Sequence, residues 1–136
     1  MNKSLNPQLT KQVIIGTKSQ SRRKVFKLMN LKFQYRSPNI NEKKVKDLSN
    51  DKYDALKIAK AKAEYLSKKY SNKIIVTFDT TILFKKKTIY KCASPECCKR
   101  TLKAFNDNSH ELYTAMIFMI NNNLIKSNLT KTKITL

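Results

Sequence analysis

The clearest hydrophobic pattern in the chain lies between residues 51 and 70. Apolar residues recur there at alternating three- and four-residue spacing, at Leu56, Ala59, Ala63, Leu66 and Tyr70. This spacing predicts an amphipathic helix over 51–70 with a single apolar face. Lys62 lies at the border of that face, so its ammonium group can reach over the edge of the core into a cleft. The alternative is that the lysine only snorkels along this edge into solvent.

Two continuous apolar runs, 13–15 and 74–78, predict strands of a buried sheet. Gly16, the only glycine of the chain, follows the first run, where we expect a turn that needs positive φ. Asp79, Thr80 and Thr81 follow the second run. Open α/β sheets place their chemistry at the carboxyl ends of such strands, so these residues are candidates for a site.

The remaining pattern predicts two more helices, an extended segment and two hairpins. The helices lie at 22–30 and 95–105, the extended segment begins at Leu31, and the hairpins pair 82–84 with 88–90 and 110–120 with 124–135. The first hairpin is expected to have a charged tip at 85–87. We therefore expect one α/β domain over residues 12–136, with a mixed, twisted sheet and flanking helices. Residues 1–11 are polar and are expected to form a frayed extension.

The net positive charge of the chain suggests a nucleic-acid partner, but the kind and distribution of its cations argue against one. Lys and Arg total 29 against 9 Asp and Glu, a formal net charge of +20. However, 25 of these cations are lysines, spread along a chain rich in Asn and Ile as in proteins from AT-rich genomes. Arginine, the residue suited to bidentate phosphate and guanine contacts, occurs only four times. We therefore do not expect a nucleic-acid partner.

Two further features bear on the cellular compartment. No apolar run approaches the roughly 20 residues needed to cross a bilayer, and the N-terminal segment lacks the apolar core of a signal peptide. We therefore expect a cytoplasmic protein without a membrane partner. Cys92, Cys97 and Cys98 include a vicinal pair that matches neither an ordinary disulfide framework nor a CxxC zinc site, which agrees with a reducing compartment.

The turn after the first strand has the features of a phosphate-binding loop. Thr17, Ser19 and Ser21 supply hydroxyl groups, the following helix start supplies backbone N–H groups, and Arg22 and Arg23 supply positive charge. A Walker loop and a GxGxxG fingerprint are both excluded, because each needs several glycines. The alternative is an ordinary strand-to-helix turn with an N-cap serine.

Two acidic residues are candidates for chemistry in this basic chain. Glu42 follows the turn-rich segment SPNIN and could bind a cation or simply form a salt bridge. Asp79 follows a strand, where it could bind Mg²⁺, act as a base towards water, or form an Asx turn. The residues alone leave both choices open.

Together, these segments resemble the Maf-like nucleotide pyrophosphatases, the septum-formation-inhibitor relatives, from Val13 to the last residue. The matching segments are VIIGTKSQSRRKVF for the opening strand, serine loop and arginine; SPNINE for the acidic turn; ALKIAKAKA for the lysine helix; VTFDTT for G-A-D-T; YKC for G-K-P; and NDNSHELYTAM for S-G-x-x-H-x-V-x-T. They occur in the family's order. The resemblance implies the anticodon-like Maf/nucleotide pyrophosphatase fold.

The resemblance implies hydrolysis of nucleoside triphosphates between the α and β phosphates, with a divalent cation, Mg²⁺ or Mn²⁺, as cofactor. Asp79 would be the catalytic residue, and Glu42 and Asp79 would hold the metal. The implied phosphate-binding residues are Thr17, Ser19, Arg22, Lys62 and Lys91. Ser21 and Thr80 would affect base specificity: Thr80 matches relatives that act on thymidine and uridine triphosphates, whereas Ser21 replaces their specificity arginine. His110 matches a position implied to be structural.

The chain departs from the family in three turns and in length. Larger residues replace the family's turn residues at Thr77-Phe78, Tyr90-Lys91-Cys92 and Asn106-Asp107, where we expect them to crowd the backbone. The family continues past position 136 with further Asp, Lys and Gln residues, so we expect a C-terminally truncated, incomplete fold and weak hydrolysis. The alternative is an inactive remnant or a basic nucleotide- or nucleic-acid-binding module. A homodimer that covers an unfinished sheet edge also stays open.

Overall fold

The fold is taken from a computed structural model that describes residues 7–46, 51–89, 92 and 94–136. The helices are α1 (Pro7–Gln12), α2 (Gln20–Leu28), α3 (Glu42–Lys46), α4 (Asp54–Lys69) and α5 (Pro95–Phe105). The strands are β1 (Val13–Gly16), β2 (Gln34–Arg36), β3 (Ile74–Phe84), β4 (Lys87–Ile89), β5 (Ser109–Ile120) and β6 (Asn123–Thr135). Within these described residues, no helix is long and apolar enough to cross a membrane.

The strands form one mixed sheet in the order β2-β1-β3-β5-β6, with β4 paired to β3. β1 is parallel to both β2 and β3, whereas β5 is antiparallel to both β3 and β6, and β4 is antiparallel to β3. The predicted α/β class and mixed sheet are therefore confirmed. β3 is the central strand, and it is much longer than β1: the two are paired only up to Gly16 and Thr77.

Helices cover both faces of this sheet. α4 packs its alanine-rich face on one side, where Ala59 and Ala63 are fully buried against Ile14 and Ile75. Small side chains let the helix backbone approach the sheet closely. On the other face, Phe26 of α2 packs against a second cluster that includes Val13, Ile15 and Val76. Alternate residues of β1 thus point to opposite faces, as the pleat of a strand requires.

Most predicted elements are confirmed with small shifts of their ends. The helix predicted over 51–70 is α4, and the one predicted over 22–30 is α2, which begins two residues earlier because Ser19 caps it by accepting from the backbone N–H of Arg22. α5 has the predicted bounds 95–105, with Ser94 as N-cap and Pro95 in its first turn. The C-terminal hairpin is formed by β5 and β6.

The predicted strand end at Asp79 is wrong. β3 continues through Asp79, Thr80 and Thr81 to Phe84, because its pairing with β5 continues: Asp79 lies opposite Ala115 and Thr81 lies opposite Tyr113. Thr77 and Phe78 consequently lie within a strand, so no turn is crowded there. Asp79 nevertheless lies just beyond the point where the shorter β1 ends.

The predicted role of Gly16 is also wrong, since Gly16 does not have positive φ. The described residues place positive φ mostly at Asn instead, including Asn121 and Asn122 at the β5–β6 turn. A side chain at Gly16 would meet the side chain of Leu66 and, at 2.9 Å, the methyl group of Thr77. The glycine is therefore required for close packing.

Three smaller differences concern segments outside the main core. The expected frayed extension contains a helix from Pro7, and Lys73 Nζ donates to the carbonyl of Lys11 in that helix at 2.9 Å. The short helix α3, which begins at Glu42, was not predicted. Lys87, expected in a hairpin tip, is paired in β4 with Phe84.

Candidate active site beside the end of β1

The candidate site forms where β1 stops and β3 continues. The pairing of the two strands ends at Gly16 and Thr77. The carbonyl of the next residue, Phe78, accepts from two side chains: Arg22 Nη1 at 3.4 Å and Lys62 Nζ at 3.4 Å. Two cations from different helices therefore meet at one backbone oxygen.

Lys62 also links the two candidate carboxylates. Its Nζ lies 3.2 Å from Glu42 Oε1 and 3.2 Å from Asp79 Oδ1. Glu42 begins α3, which packs against α4, and Asp79 projects from β3 towards the same helix. The Lys62 and Asp79 side chains are largely buried, at 11% and 14% exposed, whereas that of Glu42 is 45% exposed. The Lys62 ammonium thus lies between two carboxylates at the edge of the solvent.

Arg22 approaches from the opposite face of the sheet. Its Nη2 donates to Thr80 Oγ1 at 3.3 Å, and its guanidinium carbon lies 5.7 Å from the centre of the Phe78 ring. Thr80 Oγ1 is also 3.2 Å from the hydroxyl of Thr114 on β5. These contacts hold the Arg22 guanidinium against β3, just beyond the point where β1 ends.

The loop between β1 and α2 is held by its own hydroxyl groups. The backbone N–H of Ser19 donates to Thr17 Oγ1 at 3.0 Å, and the N–H of Arg22 donates to Ser19 Oγ at 3.3 Å. A hydroxyl that accepts in this way still carries a hydrogen that it can donate to an anion. Ser21 is exposed in the first turn of α2.

Arg23 has a different place from the one expected. Its Nη2 donates to the Thr17 carbonyl at 2.8 Å, and its guanidinium stacks at 5.2 Å over the ring of Tyr35. Burial raises the pKa of Tyr35, and the charge of Arg23 partly opposes that increase. Arg23 therefore fastens the loop to β2 and does not face the site. The sequence pattern RR carried no signal that separates the two arginines.

The structure thus brings together four residues to which the family resemblance assigns roles: Arg22, Glu42, Lys62 and Asp79. Lys91, which has an assigned role as well, lies outside the described residues. His110 is buried and its ring stacks on Phe105 at 4.1 Å, away from the carboxylates. No group of three or more His, Cys, Asp or Glu side chains in the described part of the chain is arranged to hold a metal ion. The Phe78 carbonyl and the Thr114 hydroxyl are parts of this site that the sequence pattern did not predict.

Comparison with known proteins shows the family to which the chain belongs. The Maf-like protein family matches residues 12–136. The chain is 26% identical over 133 residues to a nucleoside triphosphate pyrophosphatase of Pelagibacter ubique, covering 94% of this chain and 68% of that protein. It is 28% identical over 124 residues to a dTTP/UTP pyrophosphatase of Pyrococcus furiosus, covering 90% and 64%. It is 25% identical over 118 residues to a dTTP/UTP pyrophosphatase of Chlamydia trachomatis, covering 85% and 60%.

The chain therefore spans about two thirds of the length of these relatives. Among solved structures, a HAM1 protein from Coxiella burnetii superimposes with a TM-score of 0.59 at 12% identity. That match covers 90% of this chain and 70% of the other, and at this identity it supports the fold alone.

Proposed function

The chain belongs to the Maf-like protein family, and from this membership we propose that it is a nucleoside triphosphate pyrophosphatase. The reaction is hydrolysis between the α and β phosphates, which releases a nucleoside monophosphate and pyrophosphate. The names of the relatives support the substrate class. The observation that carries the proposal is the contact of Lys62 Nζ with Glu42 and Asp79, each at 3.2 Å.

This arrangement suits phosphoryl chemistry. Such reactions depend mainly on fixed positive charges that stabilise the phosphate oxygens and on an oriented water molecule. Arg22 and Lys62 supply fixed charge from opposite faces of β3, and we assign Lys91 the same role. We assign Thr17 and Ser19 to donate hydroxyl hydrogens to phosphate oxygens. Asp79 is the candidate base towards water.

The donor set also fits a divalent cation. Glu42 Oε1 and Asp79 Oδ1 each lie 3.2 Å from Lys62 Nζ, so the two carboxylates face the same point of the site. Carboxylate oxygens are suitable ligands for Mg²⁺ and Mn²⁺, and Mg²⁺ in particular is commonly held by one or two carboxylates together with substrate phosphates and water. We therefore assign Glu42 and Asp79 as the residues that would hold it. When bound, the ion supplies charge for the phosphates and lowers the pKa of a bound water.

Two residues, Ser21 and Thr80, are assigned to base specificity. Ser21 and Thr80 occupy the two positions linked to it, but the Thr80 hydroxyl contacts Arg22 and Thr114. We infer that Thr80 acts by orienting Arg22. The dTTP/UTP relatives make pyrimidine triphosphates the first substrates to compare.

The test is pyrophosphate release from a panel of nucleoside triphosphates with Mn²⁺ or Mg²⁺. Asp79→Asn removes the charge of the carboxylate and keeps its shape, so turnover should fall by about 100-fold or more. Asp107→Asn is the matched control, because Asp107 lies in an exposed turn and Asn tolerates its positive φ of 58°. Far-UV circular dichroism checks that both variants are folded. Turnover that survives Asp79→Asn would refute the assignment.

A further inference from the structure

Thr114 contacts the candidate site but has no role in the reaction as proposed so far. It lies on β5 directly opposite Thr80 of β3, and the two hydroxyl oxygens are 3.2 Å apart. Thr80 Oγ1 also lies 3.3 Å from Nη2 of Arg22. The three side chains therefore form a short hydrogen-bonded chain that begins on α2 and ends on β5.

The direction of these hydrogen bonds follows from the chemistry of arginine. A guanidinium group can only donate, so Thr80 Oγ1 accepts from Arg22. The Thr80 hydroxyl has a single hydrogen, and the Thr114 oxygen lies within its reach. Thr80 can therefore donate to Thr114 while it accepts from Arg22. A hydroxyl group that donates becomes a better acceptor, so the contact with Thr114 strengthens the hold on the guanidinium.

The orientation of Arg22 depends on contacts of this kind. No side chain of α2 between Gln20 and Leu28 is buried, so close packing does not fix the guanidinium. Its Nη1 donates to the Phe78 carbonyl at 3.4 Å, but a carbonyl oxygen accepts over a broad range of directions. The contact with Thr80 supplies a second fixed point, and two points define the orientation of a planar group. The remaining N–H donors of the guanidinium can then bind a phosphate in a set direction.

We propose that Thr114 is a positioning residue that acts through the Thr80 hydroxyl and holds the Arg22 guanidinium in the orientation that binds a triphosphate. Thr114 itself touches no phosphate in this scheme. The part of the inference that concerns the triphosphate rests on the proposed function. The part that concerns the orientation of Arg22 rests on the hydrogen bonds alone.

The kinetic test uses three variants at two neighbouring positions. Thr114→Val keeps the shape of the side chain and removes its hydroxyl, whereas Thr114→Ser keeps the hydroxyl. Thr130→Val is the matched control, because Thr130 is exposed and lies opposite Thr114 on β6. Loss of one hydrogen bond that supports a charged group should lower kcat/KM for dTTP by about three- to tenfold in Thr114→Val. Thr114→Ser and Thr130→Val should stay within about twofold of the parent, and urea unfolding checks that all three variants are folded.

Phenylglyoxal, which modifies guanidinium groups, tests the orientation of Arg22 without any turnover. The chain has only four arginines, so mass spectrometry can follow Arg22 with the exposed Arg100 as internal reference. Labelling of Arg22 relative to Arg100 should become about threefold faster or more in Thr114→Val. Adding Thr114→Val to Thr80→Val should have little further effect, because both substitutions act through one hydroxyl.

The two readouts separate this proposal from the pyrophosphatase assignment. Unchanged labelling of Arg22 in Thr114→Val, full additivity with Thr80→Val, or no rescue by Thr114→Ser would overturn the positioning role. An active parent whose kcat/KM is unaffected by Thr114→Val would overturn it as well. Faster labelling in Thr114→Val of a protein that releases no pyrophosphate would refute the proposed function and would support the control of Arg22 by Thr114.

Discussion

Gly16→Ala is the substitution whose effect on stability follows most directly from the packing. Gly16 lies in β1 between two parallel neighbours, opposite Arg36 and Thr77. A Cβ built there would lie 2.9 Å from the Thr77 methyl carbon and closer still to the side chain of Leu66. Ordinary carbon–carbon contacts are about 3.5–4.0 Å, so both neighbours would have to move.

Neither neighbour can move cheaply. Thr77 is fully buried, and its hydroxyl donates to the Ala59 carbonyl at 2.6 Å, which fixes the direction of its methyl group. Leu66 is 1% exposed and packs in the contact between α4 and the sheet. Overpacking of this kind costs about 1–3 kcal/mol. Replacing a glycine with ordinary φ by alanine returns about 0.4–1 kcal/mol by restricting the unfolded chain. The expected net loss is therefore roughly 0–2.6 kcal/mol, about 1.3 kcal/mol at the midpoints of the two ranges.

The measurement is urea unfolding followed by circular dichroism, with Gly16→Ala, Leu66→Val and the double variant as a thermodynamic cycle. Leu66→Val shortens the side chain that the new methyl would strike, so the alanine should cost less in that background. A loss of 1 kcal/mol should lower Tm by roughly 3–5 °C in a domain of this size. If Gly16→Ala raised the urea midpoint, or cost the same in both backgrounds, the packing explanation would be wrong.

Two further predictions concern charge. Lys62→Met removes the ammonium group that compensates the charges of Glu42 and Asp79, so Mn²⁺ should bind more tightly in the absence of nucleotide while triphosphate turnover falls. Lys60→Met, on the exposed side of α4, is the control. If titration calorimetry showed that Lys62→Met binds Mn²⁺ more weakly, the assignment of both carboxylates to the metal would be contradicted. The hydrogen bond from Tyr113 to Glu111 lowers the pKa of Glu111 below its ordinary 4.5, with a smaller contribution from Lys131. Because this folded-state pKa is depressed, the stabilisation is present above pH 4.5 and is lost as the pH falls through the folded value. Tyr113→Phe should therefore flatten the acid dependence of the unfolding free energy below pH 4.5, and an unchanged slope would exclude the contact as its cause.

The elements that could be predicted from the sequence are those with a strong local signal. The apolar spacing of α4 is an example, and both α4 and α5 lie where they were expected. The end of β3 could not be predicted, because Asp79, Thr80 and Thr81 resemble a turn in sequence and become a strand only through pairing with β5. The prediction for Gly16 was wrong for a related reason. Position 16 has no room for a side chain because Leu66 and Thr77, which are distant in sequence, pack against it.

The unequal lengths of β1 and β3 explain why the candidate residues meet at all. β1 has four residues and β3 has eleven, so beyond Thr77 the central strand loses its parallel neighbour and leaves room for side chains at its edge. α2 and α4 lie on opposite faces of that edge, and each contributes one cation, Arg22 and Lys62, to the Phe78 carbonyl. The pleat then directs Asp79 towards α4 and Thr80 towards Arg22. The end of the β1–β3 pairing thus positions cations on both sides of the sheet. Local sequence patterns could not predict where this pairing ends.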